Sequence, residues 1–331
     1  MTPVRLLAAI GIAVAVVSSC GTGSRPVLVA PPVTSTTTTT TTALAASTTT
    51  TTPEPQPSAP DGRSHPAVPA DPRAIAESLV AVERALRDEA TPASELPDLG
   101  HTQQVLYRVL GRNPEWDPVV FGVVPSDLES DVRSHIDARR AFIDLVADID
   151  PPENVPAWAI VEPEPLEALV GYYREAEAAT GIEWEYLAAI NLVETGMGRI
   201  VGLSTAGARG PMQFIPSTWD EVGEGSIDDP RDSIHAAARY LVRRGGPDDM
   251  NRALWGYNNA DEYVAAVNAY ADLMRRDERN LVGLYHWEIH YFAAIGDLWL
   301  PVGYRQEEPI AASAYVAGSP WSVSPPPTGS G

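Results

Sequence analysis

Apolar positions recur at helical spacing along most of the chain. Ile75, Leu79, Val82 and Leu86 form one stripe, Val105, Leu106 and Leu110 a second, and Ile136, Phe142 and Leu145 a third. Pro92, Pro97, Pro114 and Pro125 punctuate them, so residues 73–148 read as a small helical extension with no catalytic pattern. His101 and His135 fall there as surface or core histidines. Leu166, Leu169, Val170 and Tyr173 predict an amphipathic helix over 165–180, broken by Gly181, and a second helix runs from about 183 to 195. Further on, Pro216 opens a short helix. Asp229-Pro230 reads as an N-cap with proline at the first helical position, followed by the stripe Ile234, Ala237, Ala238, Leu241 and a stop at Gly245. A helix from Asp261 carries Tyr263, Val267, Tyr270 and Met274 on one side. The fold class is therefore mainly α.

The period changes near the C-terminus. Tyr285, Trp287, Ile289 and Tyr291 alternate with His286, Glu288 and His290, which predicts a short β-hairpin with the polar set on one face. Three such residues on one face could in principle bind a metal, but their spacing is not the helical His-Glu-x-x-His pattern and a solvated face explains it; no metal and no cofactor is expected. The resulting division is a domain over 149–308 and a loose tail over 309–331.

The N-terminus has another character. Arg5, an apolar run over 6–17 and small residues up to Cys20 read as a secretion signal over 1–19, and the run is too short to span a bilayer comfortably. Val17-Ser18-Ser19-Cys20 resembles a bacterial lipobox, which implies cleavage before Cys20 and a lipid on its sulfur; an ordinary signal peptide with an incidental cysteine is the alternative. Residues 20–72 are rich in Thr and Pro and read as a disordered tether. Fully extended, it reaches on the order of 150 Å. The expected location is outside the cytoplasm, anchored to the outer face of the membrane and reaching into the cell wall.

Composition narrows the partners. In 331 residues there are 23 Lys+Arg against 44 Asp+Glu, a net charge of -21. Nucleic acid and anionic membrane surfaces are poor partners for such a chain. Cys20 is the single cysteine, so no intramolecular disulfide exists.

The candidate chemistry lies in residues 191–213. Leu187, Ile190 and Asn191 precede Glu194 at seven, four and three residues, so the acid continues a mainly apolar helix face before Gly196 and Gly198 end the helix. A desolvated carboxyl there has its pKa raised toward the range of a general acid. A solvated C-terminal glutamate opposing the helix dipole is the competing reading, and periodicity leaves both open.

Three ordered blocks carry a resemblance. They are Glu194-Thr195-Gly196, then Ala206-Gly207-Ala208-Arg209-Gly210-Pro211-Met212-Gln213-Phe214-Ile215-Pro216, then Ala253-Leu254-Trp255-Gly256-Tyr257-Asn258. Together they resemble the transglycosylase domain of soluble-type lytic transglycosylases, relatives of goose-type lysozyme, over residues 181–263. The resemblance implies a lysozyme-like helical domain with a saccharide cleft. It also implies Glu194 as sole catalytic acid and base, Gln213 and the Met212 backbone lining the cleft, and Tyr257 and Asn258 orienting substrate and acid. Pro211 and Asn259-Ala260 depart from the family pattern and bear on the subsites.

The implied reaction is cleavage of the MurNAc-β-1,4-GlcNAc bond of peptidoglycan strands, leaving 1,6-anhydro ends. A hydrolase of the same fold is a rival; it needs a second carboxylate, for which Asp220, Glu221 and Asp228 are the candidates. A non-catalytic wall-binding lipoprotein is the other. Partners among cell-wall enzymes are not identified by sequence.

Overall fold

The computed structural model describes residues 57–325. The leader, Cys20 and the tether as far as residue 56 lie outside the described residues. Among the described residues, twelve helices occur in chain order: α1 (Pro72–Arg87), α2 (Leu96–Arg112), α3 (Asp117–Val120), α4 (Ser126–Leu145), α5 (Leu166–Thr180), α6 (Trp184–Thr195), α7 (Pro216–Val222), α8 (Pro230–Arg244), α9 (Met250–Tyr257), α10 (Asp261–Arg276), α11 (Asn280–Tyr285) and α12 (Ala312–Gly318). Six short strands accompany them: β1 (Asn154–Val155), β2 (Ala159–Ile160), β3 (Ile200–Val201), β4 (Ile289–Ala293), β5 (Gly296–Leu300) and β6 (Ile310–Ala311). They pair antiparallel as β1 with β6, β2 with β3, and β4 with β5. The mainly α expectation holds. No helix among the described residues is long and apolar enough to cross a membrane.

Local sequence explains the helix boundaries. Asp71 caps α1 by accepting from the backbone N–H of Arg73 and Ala74, with Pro72 in the first turn. Asp229 caps α8 in the same way, and Gly245 closes it at φ 119°. Gly181 ends α5 at φ 77°.

One apolar core runs from Val68 to Trp287 and takes in α1, α2 and α4 together with α5, α6, α8 and α10. The central packing is α10 between α4 and α6. The extension over 73–148 thus shares its interior with the region that follows, and a division at 148 does not separate two cores. A second cluster joins Val155, Trp158, Ile160 and Ile200 to the β4–β5 hairpin, Tyr304 and Tyr315.

Three edges of the sequence reading need correction. Residues 57–70, placed in the tether, pack on the hairpin: Arg63 pairs with Glu288 at 2.8 Å, and His65 is buried. Residues 310–325, read as tail, supply β6 and α12, whose Ala312 and Tyr315 are buried. The hairpin exists but starts at Ile289, because α11 occupies 280–285. Glu288 and His290 are buried rather than solvated, since residues 57–70 and α2 cover that face.

Candidate active site

Glu194 sits in the last turn of α6. That helix is apolar on every side, and Trp184 and every residue from Leu187 to Thr195 are buried. Periodicity looks for a stripe, whereas a central helix surrounded by α5, α8 and α10 has none to show. The desolvated reading of Glu194 is therefore the correct one: its exposure is 0%. Burial pushes the carboxyl up to about 8, opposed only by a hydrogen bond from Tyr263.

The helix ends in a left-handed turn. Gly196 at φ 61° lets Met197 N–H reach the Asn191 carbonyl at 3.1 Å and Gly196 N–H reach Leu192. Met197 follows at φ 67°, a strained conformation for a side chain. Thr195 then ties the turn to the next block: its Oγ1 donates to the Pro211 carbonyl at 2.6 Å and accepts from Gly198 N–H at 3.0 Å.

The other blocks converge on the same place. Tyr257, at the end of α9, donates to the Met212 carbonyl at 2.7 Å, and so fixes the loop rather than the acid. Gln213 is held at φ 49°, with Nε2 donating to the Gly210 carbonyl at 3.0 Å. Strained backbone at a cleft marks a position whose geometry the surroundings impose. Asn258 caps α9 and is buried.

The contact that orients the acid comes from Tyr263. Its hydroxyl donates to Glu194 Oε1 at 2.8 Å, and its ring lies parallel to that of Tyr257, with centroids 6.4 Å apart and planes 6° from parallel. Sequence reasoning placed Tyr263 only in the apolar stripe of α10. The available signal was chemical: a buried tyrosine needs a partner for its hydroxyl.

Among the described residues, three of the buried polar atoms without a hydrogen-bond partner belong to these blocks: Glu194 Oε2, Gln213 Oε1 and Asn258 Nδ2. One belongs to each sequence block. Native interiors pair such groups, so each of the three keeps hydrogen-bonding capacity that a ligand can take up. Beside them lies a cleft of about 390 Å³ lined by Gln213, Phe214, Tyr257, Trp255, Arg244 and Arg252. Trp255 is 47% exposed at its rim. Glu194 does not line this cleft; Tyr263, which bonds it, stacks on Tyr257 of the cleft wall.

The alternative second carboxylates are elsewhere in character. Asp220 and Glu221 are exposed on α7, and Asp228 is exposed and ion-paired with Arg209. No charged neighbour contributes to the Glu194 shift.

Residues 171–279, from α5 through α10, match a family model described as Transglycosylase SLT domain. The membrane-bound lytic murein transglycosylase F of Thiobacillus denitrificans is 33% identical over 110 residues, which make up 31% of this chain and 23% of that protein. The chain thus spans less than a quarter of the length of the curated relative it matches. Fold and match agree with the resemblance carried by the three blocks, and residues 171–279, which hold the site, are similar to a transglycosylase domain. Glu194, Met212, Gln213, Tyr257 and Asn258 all fall within the matched span.

Proposed function

We propose that the chain is a peptidoglycan lytic transglycosylase in which Glu194 carries out both proton transfers. The observation that supports this most is a fully buried carboxyl, raised to about 8, whose Oε2 is unpartnered and which the stacked Tyr263 and Tyr257 connect to the cleft wall. At neutral pH such a group is a proton donor.

Glu194 gives its proton to the glycosidic oxygen between MurNAc and GlcNAc as the C1–O bond breaks. The C6 hydroxyl oxygen of the muramyl residue attacks C1, and the Glu194 carboxylate takes the proton that this hydroxyl loses. The carboxyl is restored, and water is not consumed. Tyr263 holds one carboxyl oxygen and stabilises the carboxylate through the intermediate stage, leaving Oε2 for the substrate. Gln213 Oε1 and Asn258 Nδ2 offer an acceptor and a donor to sugar hydroxyl and acetamido groups.

The cleft suits this substrate class. Trp255 offers an exposed aromatic face to a sugar ring, and Arg244 and Arg252 place positive charge where the chain as a whole is acidic, which favours the carboxylates of peptide stems. Because Glu194 is sealed, productive binding has to shift the wall between cleft and acid. Asp220, Glu221 and Asp228, the candidates for the second carboxylate of the hydrolytic alternative, are all exposed.

The lipobox-like Val17-Ser18-Ser19-Cys20 supports anchoring of this enzyme to the outer face of the membrane, with Cys20 as the lipidated residue. Mass spectrometry of muropeptides released from purified wall tests the reaction. Anhydro ends from the wild type and none from Glu194→Gln are expected; hydrated ends alone would overturn the proposal in favour of a muramidase, and no fragments in favour of a wall binder.

A further inference from the structure

Three histidines from distant parts of the chain meet outside the catalytic region. His65 lies in the segment that precedes α1, His101 in α2 and His290 in β4; their exposures are 4%, 1% and 2%. One ring nitrogen from each falls within 4.8 Å of the others. His101 Nε2 and His290 Nε2 are 3.0 Å apart. We propose that these three imidazoles form a binding site for a divalent transition-metal ion, zinc by preference, that fastens the segment before α1 to α2 and the β4–β5 hairpin.

The ring partners decide where the lone pairs point. His65 Nδ1 lies 3.1 Å from the Pro66 carbonyl, which can only accept, so Nδ1 carries the hydrogen and Nε2 is free to ligate. His290 Nδ1 faces Asp297 Oδ1 at 3.6 Å. Arg108 Nε donates to the same carboxylate at 2.7 Å. Nδ1 makes no hydrogen bond among the described residues, so the carboxylate stands behind the outer nitrogen without fixing the tautomer, and Nε2 is the nitrogen that faces His101. A carboxylate or carbonyl behind the outer ring nitrogen is the arrangement that orients ligating histidines. Of His101 Nε2 and His290 Nε2 one donates to the other, and an ion bound between them takes the place of that hydrogen.

The dimensions suit a small ion. Zinc–nitrogen bonds of about 2.0–2.1 Å set tetrahedral ligand nitrogens roughly 3.3–3.4 Å apart. The His101–His290 pair is already close to that spacing, and His65 has to move in by roughly 1 Å or more. All three rings are buried, which disfavours the imidazolium form, and ligation requires the neutral imidazole. The nearest arginines do not leave uncompensated charge: Arg108 is paired with Asp297, and Arg63 with Asp61 and Glu288. Ser324 Oγ, 3.3 Å from His65 Nε2 on an exposed residue, gives an entry path and a fourth oxygen ligand, itself or through water. The burial of all three rings fits a structural ion and not a catalytic one.

Sequence alternation had grouped His290 with His286 and Glu288, and with no metal. The fold separates these: Glu288 bonds Arg63 and Trp299, and His286 stands apart from the cluster.

The test uses the full, tag-free chain, stripped with chelator, exposed to zinc and dialysed, with bound zinc measured by plasma mass spectrometry and Tm by calorimetry. One zinc per chain and a raised Tm are expected. His65→Ala and His290→Ala should weaken retention by about 100-fold or more, while His286→Ala retains it. Absence of stoichiometric zinc in the wild type overturns the proposal, as does zinc that survives both cluster substitutions. Cobalt(II) added to the wild type keeps the test independent of how the variants fold: intense visible bands of a four-coordinate nitrogen site are expected, and the weak spectrum of a six-coordinate ion would overturn it.

Discussion

Tyr263 donates its hydroxyl hydrogen to Glu194 Oε1 at 2.8 Å, and among the described residues this is the acid's single hydrogen bond. The bond favours the carboxylate, while burial favours the neutral acid, and burial prevails. Glu194 is thereby kept protonated at neutral pH with one oxygen already held, the state in which the proposed reaction has it donate.

The first prediction concerns stability against pH. Unfolded, Glu194 ionises near 4.5; folded, near about 8. Between these values the unfolded chain holds fewer protons at this site, so the contribution of Glu194 to stability is greatest below 4.5 and falls as pH rises toward 8. Glu194→Gln removes this slope. At pH 7 the variant should be more stable by on the order of 2–3 kcal/mol, as read from urea unfolding at several pH values, while losing turnover. Parallel pH profiles for the two proteins would contradict the burial of a protonated acid.

A second prediction separates positioning from binding. Tyr263→Phe leaves the ring stack with Tyr257 but removes the bond to Oε1. The carboxylate then loses its stabilising partner, so the basic limb of the pH–kcat profile moves above its wild-type position near pH 8. Turnover should fall about 10- to 100-fold with KM little changed. A change confined to KM would assign Tyr263 to substrate contact instead.

The turn after the acid supplies a third. A Cβ at Gly196 would stand 2.6 Å from Ile289 Cδ1, and φ is 61°. Gly196→Ala should cost about 2 kcal/mol or more, from left-handed strain plus the contact with β4. Adding Ile289→Val removes the offending methyl and should recover the contact part but not the strain. Additive losses in that double-mutant cycle would mean that the two residues do not press on each other.

At the cleft rim, Trp255→Ala and Arg252→Ala act on exposed positions. Stability should change by less than about 0.5 kcal/mol. KM for wall fragments should rise about tenfold for Trp255→Ala, equivalent to about 1.4 kcal/mol of binding. For Arg252→Ala the rise should be larger with stems that carry free carboxylates than with amidated ones; equal effects on both would remove the charge argument.

Much of this was legible in the chain because the signals are local. The Asp229-Pro230 cap, Gly181 and Gly245 mark helix ends by backbone chemistry alone, and the three blocks around Glu194, Gln213 and Tyr257 are contiguous in sequence. What escaped depends on distance along the chain. Tyr263 meets Glu194 from 69 residues away. Likewise His65 reaches His290 only because the segment before α1 folds back over the hairpin, and a Pro-rich stretch gives no period from which to foresee that. The burial of α6 was ambiguous for a related reason, since a helix enclosed on every side shows no polar face.

The continuous core has a consequence for modularity. The family match begins at residue 171, yet α10, which presents Tyr263 to the acid, rests its other side on α4. A catalytic cassette cut at the limits of the match would leave that side facing water and the tyrosine's helix unsupported. In this chain the unit that a swap or duplication could carry intact is larger than the unit that sequence similarity outlines, and it begins before α1.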